Sequence, residues 1–296
     1  MKRVFSLTAL ASSAVAFRGG WGVGGSPGNF STTEWQARFE DANATGTYYF
    51  DAYKVSDSFP PNKTVSGWSA TIRVANITDD PEEGSVPYPG TDISIKAPDG
   101  MEMPESNSTE WQACMAVWTP GILTSGATSD AQHDDGDCSS FLSDECIDAI
   151  RASAAGFYFE GERCATVPFV PDVCKKWYGE SGDISSGSIS GNFSSIFNGS
   201  TMFSGRPLLV GDSERVQTEE EAYNEAIRSV YTVMINWGRR DSLSWSSDDI
   251  LQPTLLCLRT RNITEGSEGP NTGARAAVHA PMALVMSMLV AVLLVY

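Results

Sequence analysis

The sequence predicts a β-rich α+β fold, a disulfide-stabilised antiparallel β-sandwich-like domain with two packed helices. Three observations predict it. Short runs alternate apolar and polar residues between Pro- and Gly-rich breaks, the pattern of half-buried strands. Only two segments carry a helical period with a recognisable start. Six cysteines, an even set, suit a chain stapled by disulfides.

Taken in order, Thr45 to Lys54, with Tyr48, Tyr49, Phe50 and Tyr53, is the first strand expected. Gly67 to Ala75 is the second, because Trp68, Ala70, Ile72 and Val74 fall on one face and Ser69, Thr71 and Arg73 on the other. Asp92 to Ala97 alternates through Ile93 and Ile95. Trp111 to Trp118 places Trp111, Ala113, Met115 and Val117 on one face and Cys114 on the other. Pro and Gly clusters at 59–61, 81–89 and 98–104 separate these runs and suggest antiparallel pairing. Ser143 then caps a helix whose first turn holds Asp144 and Glu145 and which stops at Gly156. Phe157 to Glu162 returns to a strand-like run.

Ser181 to Ser204 is rich in Ser and Gly with two sequons, and reads as a loop or a glycosylated insertion rather than core, and as a candidate module boundary. Thr218 and Glu221 form a capping box for a second helix, with Tyr223, Ile227, Val230 and Met234 as its apolar stripe and Gly238 as its stop. Arg239 and Arg240 would then sit at the helix C-terminus, where cations are favoured; a dibasic pair is also a processing signal in secreted chains. Leu255 to Arg261 is the last strand expected, and no internal repeat occurs.

The two ends of the chain carry targeting signals. Lys2 and Arg3, an apolar stretch from Val4 to Ala11 and the small residues Ala14, Val15 and Ala16 have the layout of a secretory signal peptide over 1–16, followed by a Gly-rich arm over 17–30. At the far end, Pro281 to Tyr296 is apolar except for Ser287 and has no basic residue behind it. It follows a short spacer and the small residues Asn271, Thr272 and Gly273, the layout of a glycosylphosphatidylinositol signal. Asn271 is then the attachment residue, 272–296 the removed segment, 263–271 a stalk and 31–262 the ectodomain.

Asn-x-Ser/Thr triplets begin at Asn29, Asn43, Asn62, Asn76, Asn107, Asn192, Asn198 and Asn262. These are eight of eleven asparagines, where chance would place about two. In an oxidising compartment Cys114, Cys138, Cys146, Cys164, Cys174 and Cys257 are all expected in disulfides. Fifteen pairings are possible; spacing favours Cys138 with Cys146, Cys164 with Cys174, and Cys114 with Cys257.

Function classes narrow by exclusion. A net charge of -17 repels phosphate backbones and anionic membrane surfaces, so nucleic acid is not an expected partner. There are two histidines, and His279 falls in the segment expected to be removed. A Ser-His-Asp scheme therefore rests on His133, and the G-x-S-x-G match at Gly24 to Gly28 falls in the Gly-rich arm rather than on a strand-to-helix elbow. The acidic run from Asp130 to Asp137 fails the calcium-loop register, since Ala131, His133 and Leu142 fall where ligands belong, and reads instead as a solvated acidic turn. No cysteine spacing suits a metal, and no cofactor is expected. One carboxylate pair, Glu160 and Glu162, would share a strand face roughly 6 to 7 Å apart, within reach of glycoside hydrolysis. Exposed aromatics offer the other route, stacking on sugar rings, although most of the eight Trp must be core.

Together the signal peptide, the anchor signal, the sequons and the six cysteines resemble the glycosylphosphatidylinositol-anchored cell-surface proteins of filamentous fungi. The resemblance covers the termini and the glycan pattern and reaches no catalytic motif. It implies an extracellular surface or wall glycoprotein that binds wall polysaccharide or a protein partner. The alternative is a carbohydrate-active enzyme using Glu160 and Glu162.

Overall fold

The computed structural model describes residues 21–23, 30–79, 87–105, 110–118, 123–153, 159–160, 163–164, 169–178, 184–189, 193–205, 219–239 and 251–263. The signal peptide, the stalk beyond Ile263 and the anchor signal with Asn271 lie outside these residues, as do Asn29, Asn107, Asn192, Glu162, Thr218, Arg240 and His279.

β1 (Trp21–Val23) precedes α1 (Thr32–Ala37), whose N-cap Ser31 and Glu34 close a reciprocal capping box that satisfies otherwise orphaned N–H groups. The strands β2 (Ala44–Tyr53), β3 (Thr64–Ile77), β4 (Tyr88–Lys96) and β5 (Gln112–Trp118) follow, each within a few residues of its sequence expectation. The short helix α2 (Ser125–Asp130), capped by Thr124, runs into a 3-10 turn at Ala131–His133, and α3 (Asp144–Ser153) begins where Ser143 caps it. A two-residue pairing, β6 (Phe159–Glu160) with β7 (Arg163–Cys164), and a 3-10 turn at Asp172–Cys174 lead to β8 (Ile184–Ile189), α4 (Phe193–Ile196) and β9 (Asn198–Gly205). The chain ends with α5 (Glu219–Arg228), β10 (Tyr231–Gly238), β11 (Thr254–Leu258) and β12 (Asn262–Ile263).

Two antiparallel sheets pack face to face, ordered β1-β9-β4-β3-β2-β12 and β11-β10-β5-β8. Their inner faces meet in one core, where alternation sends Trp68, Ala70 and Ile72 of β3 against Ala113, Met115 and Val117 of β5 and against Val233, Ile235 and Trp237 of β10. Trp68, Phe197 and Trp237 pack around one another with ring centroids 5.2 to 5.5 Å apart. The outer face of the four-stranded sheet is covered too: Cys114, Ala116, Trp118, Met234 and Leu255 lie under α2, α3 and residues 170–178. The outer face of the larger sheet is sealed at one end by Trp35 of α1 and by Phe39 just beyond it.

Three expectations are corrected. The second helix ends at Arg228, and residues 231–238 are a strand in which every residue is buried. Val230 and Met234 match a helical stripe by coincidence. A central strand covered on both faces reads as an unbroken apolar run, and Tyr231, Thr232, Val233, Ile235 and Trp237 are strand formers. Arg239 consequently follows a strand rather than capping a helix.

Within 181–204 the described residues form β8, α4 and most of β9 rather than a loop. Phe193, Phe197, Met202 and Phe203 anchor the segment in the core, and its small Ser and Gly residues form strands around them.

The disulfides also differ from the spacing-based pairing. Cys138 joins Cys257 and Cys146 joins Cys174, each with Cα atoms 5.1 Å apart, and Cys114 is disulfide-bonded as well. Folding brings α3 onto the 3-10 turn at Asp172–Cys174, a proximity no local spacing encodes.

Candidate functional site

Among the described residues β12 pairs with β2 only at Ala44 and Thr45 and most of β2 is bonded to β3 alone, so its other edge opens on the side of the sandwich. Across this opening lies β11, the edge strand of the second sheet. Between the two edges is a cavity of about 370 Å³, walled by residues 48–53 of β2, by 252–256, by the acidic turn at 135–137 and by Arg151 of α3.

The acidic turn is positioned by a carboxylate, although not in the way its composition suggests. Asp134 is 1% exposed and accepts hydrogen bonds from the backbone N–H groups of Gly136 (2.7 Å), Cys138 (3.0 Å) and Ser140 (3.1 Å) and from the Ser140 hydroxyl (2.9 Å). These bonds replace the lost hydration of a buried charge. The expected solvated turn is therefore wrapped around a buried Asp134, which leaves Asp135 and Asp137 outside.

Gly136 is required at the centre of the turn. Its φ is +109°, and a Cβ there would strike the Tyr48 ring. Its carbonyl accepts from Cys257 N–H (3.0 Å), which, with the Cys138–Cys257 bridge, fastens the turn to β11.

Tyr48 points inward, its hydroxyl donating to the Arg259 carbonyl (2.8 Å), with the Arg261 guanidinium 4.2 Å from its ring centre. Period two then turns Thr47, Tyr49 and Asp51 outward, and Tyr49 is 78% exposed. Tyr53 closes the far end by donating to the Gln252 carbonyl (3.2 Å), and partial burial raises its hydroxyl above the ordinary tyrosine range. Asp137 accepts from both the hydroxyl (2.7 Å) and the N–H (2.9 Å) of Ser139. The hydroxyl bond is the larger cause that holds its carboxyl below the usual range, so Asp137 is ionised in the groove. Arg261 pairs with Asp135 at 3.0 Å, and Arg151 reaches Asp148 only at 4.0 Å. An exposed aromatic ring beside carboxylates, a guanidinium and backbone carbonyls offers both stacking and hydrogen bonding to a hydroxyl-rich ligand.

The carboxylate pair and the histidine singled out in the sequence fall elsewhere. Glu160 ends β6 opposite Arg163; its side chain and all of Glu162 are outside the described residues. His133 is exposed on its 3-10 turn. Among the described residues no group of three or more His, Cys, Asp or Glu is placed to hold a metal ion, and no helix is long and apolar enough to cross a membrane. Of the described sequons, Asn62, Asn198 and Asn262 are exposed. Asn43 and Asn76 are half-buried neighbours, with the Asn76 N–H donating to the Asn43 side chain (3.1 Å).

Apart from the acidic run, the groove residues are not singled out by sequence, yet one signal for them is available: in an alternating strand with Tyr48 and Phe50 inward, Tyr49 must face out. These features define a two-sheet antiparallel sandwich with a side groove. No protein-family model, no curated protein and no solved structure matches this chain.

Proposed function

We propose that this chain is an extracellular, lipid-anchored surface glycoprotein that binds a wall polysaccharide in the groove between β2 and β11 without cleaving it. The observation that carries the reading is the outward Tyr49 ring on the rim of a cavity of about 370 Å³ that also presents Asp51, Asp137 and Arg151. Large exposed aromatics are uncommon on a soluble surface, and a ring flanked by hydrogen-bonding groups matches the apolar faces and equatorial hydroxyls of a sugar. Secretion and anchoring are supported by the leader, the C-terminal signal and the sequons read above, and the disulfides suit an oxidising compartment.

The test uses the full chain purified from a secreting eukaryotic host. It is incubated with insoluble glucan, chitin and mannan, and both pull-down and reducing-end release are followed. Binding that is lost in Tyr49→Ala, without release, is the expected result. Release that disappears in Glu160→Gln would replace this reading with the carbohydrate-active enzyme.

A further inference from the structure

The geometry points to a cationic amino-sugar polymer, rather than a neutral or anionic glycan, as the ligand of the side groove, an inference that rests on the glycan-binding reading above. Three carboxylates, Asp51, Asp135 and Asp137, line the cavity against one guanidinium, Arg151. They come from different parts of the fold, β2 and the acidic turn, so their convergence on Tyr49 and Tyr53 is a property of the assembled groove.

The cations nearby are partly engaged. Arg261 sits 3.0 Å from Asp135 and stacks on Tyr48, while Arg151 faces Asp148 of its own helix. Asp51 is exposed, and Asp137, which accepts from Ser139 through one oxygen and is drawn further toward its ionised form by Arg151, is exposed as well. Asp144, Glu145 and Asp148 on α3 are exposed as well and add to the same sign of field, as does the chain's net charge of -17.

A polymer carrying an ammonium on each ring would place positive charge against these carboxylates and against the faces of the tyrosines, where a cation is attracted by the ring quadrupole. A neutral glycan of the same shape would keep only stacking and hydroxyl bonds, and a polyuronate would be repelled. With Asp135 already paired to Arg261, Asp51 and Asp137 remain for the ligand, and their two exposed ion pairs correspond to about tenfold in affinity.

The experiment compares β-linked glucosamine oligomers of one length, fully deacetylated and fully N-acetylated, by calorimetric titration of the full chain; a neutral glucan and a polyuronate oligomer serve as controls. The expected result is about tenfold tighter binding of the deacetylated oligomer, a difference that shrinks in high salt. Asp51→Asn combined with Asp135→Asn should reduce that difference. Equal affinity for the two oligomers, with both dependent on Tyr49, would overturn the charge selection and leave the glycan-binding reading standing. Binding of none of the four, or binding indifferent to Tyr49→Ala, would overturn both. The comparison of ligands on the unaltered chain decides the matter even where the double variant fails to fold.

Discussion

Arg73→Met strands a carboxylate in the protein interior. Asp92 on β4 is fully buried on the outer face of the larger sheet, and three bonds compensate it: the Arg73 Nε (3.0 Å) and Nη2 (2.6 Å) donate to one oxygen, and the Thr201 hydroxyl (2.5 Å) donates to the other. Methionine keeps the apolar stem of Arg73 near Phe39 and removes the charge together with its two hydrogen bonds to Asp92. Breaking a buried pair from one side costs about 3–5 kcal/mol, whereas removing both charges costs far less. At about 2–4 °C per kcal/mol for a domain of this size, the Tm should fall by roughly 6–20 °C.

The loss should depend on pH. Burial already raises the Asp92 carboxyl above its ordinary range, with Arg73 and then Thr201 pulling it back down. A carboxyl raised on folding contributes stability that is present in acid and lost as pH rises through its folded value. Without Arg73 it is raised further, so the deficit of the variant should be smallest near the ordinary carboxylate range and grow toward neutral pH. Thermal unfolding followed by circular dichroism, for Arg73→Met, Asp92→Asn and the double variant across that range, reads all of this. A deficit below about 1 kcal/mol, a deficit independent of pH, or a double variant no more stable than Arg73→Met would refute the reasoning.

Further expectations concern the groove and its supports. Tyr49→Ala should leave the unfolding temperature within experimental scatter, because the ring is 78% exposed, yet abolish measurable polysaccharide pull-down. Gly136→Ala should destabilise by about 2 kcal/mol or more in chemical denaturation, since it adds a positive-φ penalty to a collision with the Tyr48 ring. Non-reducing peptide mapping should recover Cys138 with Cys257 and Cys146 with Cys174. Their loop separations of 119 and 28 residues make loss of the first cost about 5 kcal/mol and loss of the second about 3.5 in the chain-entropy model, an order that paired Cys→Ser variants would check.

Much of this architecture is legible along the chain because alternation is a local signal. The inward set Trp68, Ala70, Ile72 and the opposed faces of β5 follow from period two alone, and the structure places them so. Ser143 likewise announces α3, since capping involves only the first turn of a helix. Where the reading fails, two local signals coincide. Residues 230–238 satisfy a helical stripe and a buried strand at once, and only the neighbours β5 and β11 decide between them. In residues 181–204 the Ser and Gly content suggests a loop, and the five apolar side chains at 193, 196, 197, 202 and 203 outweigh it once a sheet edge is present.

The candidate site was legible only in fragments, for a reason specific to its construction. Tyr49 and Asp51 belong to β2, Asp135 and Asp137 to a turn some 85 residues later, and Gln252 to a segment beyond that. What joins them is the Cys138–Cys257 bridge, the Cys257 N–H bond to the Gly136 carbonyl and the contact of Gly136 with Tyr48. None of these is written in local spacing. The composition of the acidic turn even misleads, since Asp134 spends its charge on holding the turn and only its neighbours face the groove. A run of like charges at a turn can thus divide its labour between structure and surface. The division follows from which side chain finds the backbone N–H groups first, so the groove's charge cannot be counted from sequence without that geometry.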